Sequence, residues 1–163
     1  MVPIALRLRV ADEVWIAVAL LHREHPDLPD FSIEEIMERA GKEAGKPLRP
    51  GVRVHVNQHC VANRPPNPAR YRMLFETASG RRRLFHDGDH YDAAREGAKV
   101  VPAREDIPSE YAALLDWYRG WSQDRAEDRI KSDPILALRG SGKKLWADEH
   151  ADEYVRRLRE GWE

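Results

Sequence analysis

The chain has 163 residues, with 42% apolar and 34% charged side chains and a formal net charge of −1. That length suits one ordinary domain or a small domain with an appendage, and the charge balance excludes a uniformly basic nucleic-acid sleeve. Its single cysteine, Cys60, excludes an intrachain disulfide framework and a multi-cysteine zinc ribbon. No stretch approaches the ~18 apolar residues of a membrane helix, so no membrane association is expected. The start, MVPIALRLRV, does not read as a signal peptide because Asp12 and Glu13 follow at once. The expectation is a cytoplasmic protein.

The first predicted helix runs from Asp12 to Glu24, with Val14, Trp15, Ala17, Val18, Leu20 and Leu21 as a wide apolar stripe. Pro26 and Pro29 end it. The second is announced by Ser32 and Glu35, a capping box, with Phe31 and Ile36 as a hydrophobic staple. Ile33, Ile36, Met37 and Ala40 form its buried stripe, and Gly41 or Gly45 ends it. A third helix is predicted from Pro50 to Ala62, weakened by Val52, Val54, Val56 and Val61, whose β-branching leaves a strand open. The run from Arg64 to Pro68 is irregular. The period then becomes two, and a β-hairpin is predicted from Tyr71 through an Ala78-Ser79-Gly80 turn to His86. Residues 87–108 read as a long loop. Ser109 opens a further helix to about Gly120, extended by or linked through residues 121–132. Asp133 to Leu138 is a short apolar patch, Gly140-Ser141-Gly142 a break, and Asp148 the start of a last helix with Tyr154, Leu158 and Trp162 four apart.

The charge is segregated. Residues 1–48 hold six basic and nine acidic groups, whereas 49–86 hold eight arginines against Glu76 alone, a net of +7. Residues 87–104 carry −1 and residues 105–163 carry −4. The cationic block either contacts a polyanion or faces the acidic segments of its own fold. Three short helices followed by a hairpin is the order of a winged helix-turn-helix. The expected fold is mainly α with a β-hairpin, a winged domain over 1–120 followed by an extended and helical tail over 133–163. Duplex DNA is the expected partner. Arg53, Asn57 and Gln58 on the third helix would reach base edges. Arg64, Arg70, Arg72, Arg81, Arg82 and Arg83 would follow phosphates, with a steep salt dependence.

Chemistry-bearing clusters are sparse. His55 and His59 have the four-residue spacing of metal ligands, but no Glu stands at position 56, so the zincin pattern is absent and packing or phosphate contact is the expected role. His86, Asp87, Asp89 and His90 have the residue types of a metal-dependent nuclease site, though such runs are usually hydrophilic loops. No cofactor, metal or catalytic residue is assigned, and the chain is not expected to be an enzyme.

The tail holds Ile135, Leu136, Leu138, Leu145, Trp146, Tyr154, Val155, Leu158 and Trp162 within 31 residues. So many large apolar groups must bury on something, either a partner or a twin subunit. The stretch from Asp133 to Trp162, with its apolar run to Leu138, Gly140-Ser141-Gly142, Leu145-Trp146 and closing Tyr154, Leu158, Arg159, Glu160 and Trp162, resembles the toxin-binding tail of type II (VapB-like) antitoxins that neutralise PIN-domain ribonuclease toxins. The resemblance covers about the last thirty residues. It implies that Ile135, Leu136, Leu138, Leu145, Trp146, Tyr154, Leu158, Arg159 and Trp162 bind the toxin. It also implies that Arg156, Arg157 or Arg159 reaches the toxin's acidic site, and that the protein represses its own operon as a homodimer or a hetero-oligomer with toxin. The front departs from the ribbon-helix-helix or swapped-hairpin modules usual in such antitoxins. It resembles instead bacterial winged-helix-like domains of uncharacterised function. Two alternatives stand beside this reading: a winged-helix transcription factor with a self-dimerising tail, and a nuclease using the His86–His90 cluster.

Overall fold

A computed structural model describes residues 8–44, 47–138, 140 and 151–160. The protein is mainly helical with one small antiparallel sheet of three strands. In chain order the elements are α1 (Val10–Glu24), β1 (Phe31–Ser32), α2 (Ile33–Ala44), α3 (Gly51–Val54), a π-helical turn (His55–His59), β2 (Leu74–Ala78), β3 (Arg81–Leu84), α4 (Ala112–Ser132), α5 (Pro134–Ala137) and α6 (Ala151–Glu160). The chain divides into two compact units that meet at Asp124 and Arg125. Among the described residues no helix is long and apolar enough to cross a membrane.

The centre of the first unit is α1. Val14, Trp15, Ile16, Ala17, Val18 and Ala19 are all buried, so its apolar surface is wider than one stripe. Helix α2 packs beside it through Ile36 and Ala40, and Trp15 meets the ring of Tyr118 edge-on at 5.7 Å. The capping box forms in full. The Ser32 amide donates to Glu35 Oε2 at 2.7 Å and the Glu35 amide to Ser32 Oγ at 3.1 Å. These bonds satisfy donors that a helix start otherwise leaves open, and the Ser32 amide holds the Glu35 carboxyl below its ordinary value. Phe31, the staple residue, also belongs to β1, which lies against β3 with Phe31 opposite Arg82. A two-residue strand is too short to carry a periodic signal, so the sequence pattern does not announce β1.

The sheet order is β1-β3-β2, and β2 pairs with β3 through Leu74–Leu84 and Phe75–Arg83. The predicted hairpin therefore exists, turning at Gly80 with φ +72°. One edge of β2 is closed by the 60–63 segment. The Asn63 amide acts as a strand segment there: its Nδ2 donates to the Glu76 carbonyl and its Oδ1 accepts from the Glu76 amide, each at 2.9 Å. An edge left open would present unpaired backbone groups to other chains.

The third helix departs most from expectation. It is α-helical only over Gly51–Val54, then widens so that the Cys60 amide reaches back to the His55 carbonyl at 3.0 Å. Its C-terminal carbonyls end against two buried guanidinium groups. Arg82 Nε donates to the Val56 carbonyl at 3.2 Å. Arg95, with no exposed surface, donates to the carbonyls of Gln58 and His59 at 2.8 Å and of Arg64 and Tyr71 at 2.7 Å. A helix end leaves four carbonyls without partners, and planar forked donors beside its negative pole satisfy several at once.

The 87–108 segment is a loop with two 3₁₀ turns, Ala93–Arg95 and Arg104–Asp106, and Arg95 ties it to the core. Helix α4 begins where expected, after a 3₁₀ turn at Ser109–Tyr111, and continues to Ser132. Leu114, Leu115 and Tyr118 are its buried face, and the Tyr118 hydroxyl donates to the Phe85 carbonyl. In the second unit, the short apolar patch forms α5 and the last helix forms α6.

Candidate nucleic-acid interface and partner-binding tail

The arginines of the cationic block are built into the fold. Six of its eight lie within 4.0 Å of a carboxylate. Arg49 meets Glu13 at 2.6 Å, Arg64 and Arg82 both meet Glu76 at 2.7 and 2.9 Å, Arg81 meets Asp30 at 2.5 Å, Arg83 meets Asp89 at 2.6 Å, and Arg53 meets Glu34 at 3.7 Å. Most of these carboxylates come from the acidic segments on either side of 49–86. The charge segregation along the chain is largely cancelled in space.

The nine residues expected to face DNA therefore divide. Arg82 is 1% exposed and serves the helix end, because β3 turns its side chain toward Val56 and Glu76; its guanidinium is not at the surface for a phosphate. Arg83 makes a two-pronged bond to Asp89, at 2.6 and 2.8 Å, and lies over the Phe75 ring at 4.4 Å. Arg72 stacks on Tyr91 at 4.1 Å. Arg64 and Arg81 are tied to Glu76 and Asp30. Gln58 donates its side-chain amide to the Pro65 carbonyl, and Asn57 is half-buried. Arg53 and Arg70 are exposed, Arg53 with only the loose Glu34 contact and Arg70 with a long bond to the Ala94 carbonyl at 3.5 Å. Those two are the cations best placed to meet a polyanion.

The cluster after the hairpin is used internally. Asp89, its side chain fully buried, accepts from Arg83 and from the His86 amide at 3.0 Å, and lies 3.3 Å from His86 Nδ1. His86 also faces Trp121, whose ring lies 4.8 Å from His22. His22 Nε2 accepts the Leu84 amide at 3.3 Å, which requires that nitrogen to be unprotonated. Asp87 and His90 are exposed. Among the described residues no group of three or more His, Cys, Asp or Glu side chains is placed to hold a metal ion. Cys60 is fully buried and burial pushes its thiol far above the ordinary range, so it is a core residue.

Sequence reasoning missed Arg95 and the capping role of Arg82. Neither has a local signature. The acceptors of Arg95 lie 24 to 37 positions away, and an isolated arginine between Ala94 and Glu96 reads as loop.

In the tail, Ile135 is 79% exposed, Leu138 65% and Val155 45%. Arg156, Arg157 and Arg159 are exposed on α6. Leu145, Trp146 and Trp162 lie outside the described residues, as do the side chains of Leu136, Tyr154 and Leu158.

Comparison of the chain with protein-family models, with curated proteins and with solved structures found no match.

Proposed function

We propose that the protein is a two-part antitoxin-type regulator of the cytoplasm. Its tail binds and occludes a PIN-domain ribonuclease, and its first unit is a winged-helix-type module that docks on operator DNA. The observation that carries this reading is the tail itself: Ile135 on α5, Leu138 just after it and Val155 on α6 keep large apolar surface in water, and α6 also presents Arg156, Arg157 and Arg159. A tail that carries both apolar anchors and a row of cations suits a partner with grooves around an acidic metal site. The element order α1-β1-α2-α3-β2-β3, with β3 between β1 and β2, supports the winged-helix reading of the first unit. The test is inhibition of a co-expressed PIN-domain ribonuclease, ideally the product of the adjacent reading frame. The full chain should abolish RNA cleavage at equimolar ratio, and the chain ending at residue 132 should not. A truncated chain that still inhibits, or a full chain that never does, refutes the tail's role. Loss of a homodimer on truncation, with no effect on any ribonuclease, would favour a transcription factor with a self-dimerising tail.

The ion pairs favour a second reading of the first unit, as a protein-docking module that does not read DNA. Binding to duplex DNA through Arg53 and Arg70 alone would give a slope of log K against log salt of about −2, since each phosphate neutralised contributes about −0.9. Seven engaged arginines would give about −6. The pairing geometry predicts the shallow slope in an anisotropy titration. A steep one would mean that the internal pairs open on DNA, and no binding at 50 mM salt would select the protein-docking reading.

A further inference from the structure

We propose that His55 and His59 form a two-nitrogen site for a late first-row divalent ion, copper or zinc in class, at the π-turn. The two histidines are the first and last residues of that turn. Their ring centroids are 4.8 Å apart with planes at 86°. An ion about 2.0–2.1 Å from a nitrogen of each ring, with an ordinary angle between the bonds, puts the centroids about 5 Å apart. The backbone therefore already holds the rings at chelating separation.

The hydrogen bonding adds a second observation. His55 Nδ1 lies 2.8 Å from the Gly51 carbonyl, which can only accept, so Nδ1 carries a proton and the neutral ring has its lone pair on Nε2. Metal-binding histidines are held in this manner, the second nitrogen donating to a carbonyl that orients the ring. In His59, Nδ1 is enclosed without a hydrogen-bond partner, and the proposal assigns Nε2 as its ligating nitrogen. Arg95 is engaged by backbone carbonyls and the Tyr71 ring lies 6.1 Å from His55. No third His, Cys, Asp or Glu among the described residues joins the pair, so an all-nitrogen site with water in the remaining positions results. Imidazole without carboxylate selects copper, nickel and zinc over magnesium and calcium, with copper bound most tightly.

The experiment is titration of the full chain with Cu²⁺ at pH 7.5, read by electron paramagnetic resonance for nitrogen coordination and by calorimetry for affinity. The expected result is one ion per chain with a two-nitrogen signature. Affinity should fall at least tenfold in His55→Gln and in His59→Gln, and should be unchanged in the exposed-histidine controls His25→Gln and His90→Gln. Because His59 is partly enclosed, His55→Gln decides the matter if the other variant fails to fold. A signal that persists in folded His55→Gln, or the absence of binding below 100 µM copper, overturns the site.

Discussion

Replacing Arg95 with alanine should destabilise the first unit by about 4 kcal/mol, a large share of the roughly 5–15 kcal/mol by which a domain is stable. The guanidinium has no exposed surface and binds four carbonyls at 2.7–2.8 Å. Truncation leaves the carbonyls of Arg64 and Tyr71 without this donor, whereas Gln58 and His59 keep the Val61 and Tyr71 amides, and each group so stranded costs about 1–3 kcal/mol. It also opens a cavity beneath the π-turn. Arg95→Lys should rescue little, because an ammonium offers three donors from one point where this site needs a planar fork reaching in several directions. Urea unfolding of the full chain, followed by near-ultraviolet dichroism, measures the loss. A cost under 1 kcal/mol for Arg95→Ala would mean that the carbonyls find other donors and that Arg95 is not the tie between loop and helix end.

Asp89 should set the acid limit of the fold. Burial by itself would raise its carboxyl pKa, but the paired bonds from Arg83, the His86 amide and the neighbouring charges outweigh burial and hold it below the ordinary value. A depressed folded value stabilises the native state above the unfolded carboxylate range. That contribution is lost as pH falls from about 4 through the folded value. Asp89→Ala should cost about 3 kcal/mol at pH 7, since it leaves Arg83, whose side chain is 13% exposed, without its partner and the His86 amide without an acceptor. Asp89→Asn preserves the shape and removes the titrating group. Its melting temperature should be lower at pH 7 and vary less with pH below 4 than that of the unmodified chain. Parallel acid profiles for the two proteins would show that another carboxylate governs acid unfolding.

These two residues also show where sequence reading succeeds and where it stops. Helix α1, the Ser32–Glu35 box and the β2–β3 hairpin were legible because their signals are local: periodic burial, a three-residue cap, alternation around Gly80. Strand β1 was hidden by its length, and the π-turn by depending on Arg82 and Arg95, which arrive from distant positions. The cationic block was legible as a fact of composition but not as a surface. Arg81 finds Asp30 from 51 positions away, and Arg49 finds Glu13 from 36. No segment sum reveals which charges become neighbours. Of the residues expected at a DNA interface, Arg53 and Arg70 remain open, and Arg82 and Arg83 became structural members instead. The tail is legible as a surplus of apolar side chains, of which Ile135 and Leu138 are exposed in this chain.

Hydrogen exchange measured on the full chain, alone and mixed with the PIN-domain ribonuclease, tests the central claim most directly. The account predicts new protection over 133–138 and 151–160, with the amides of α1 and α2 unchanged. Protection confined to the first unit, or none anywhere at concentrations where the ribonuclease stays active, would contradict it.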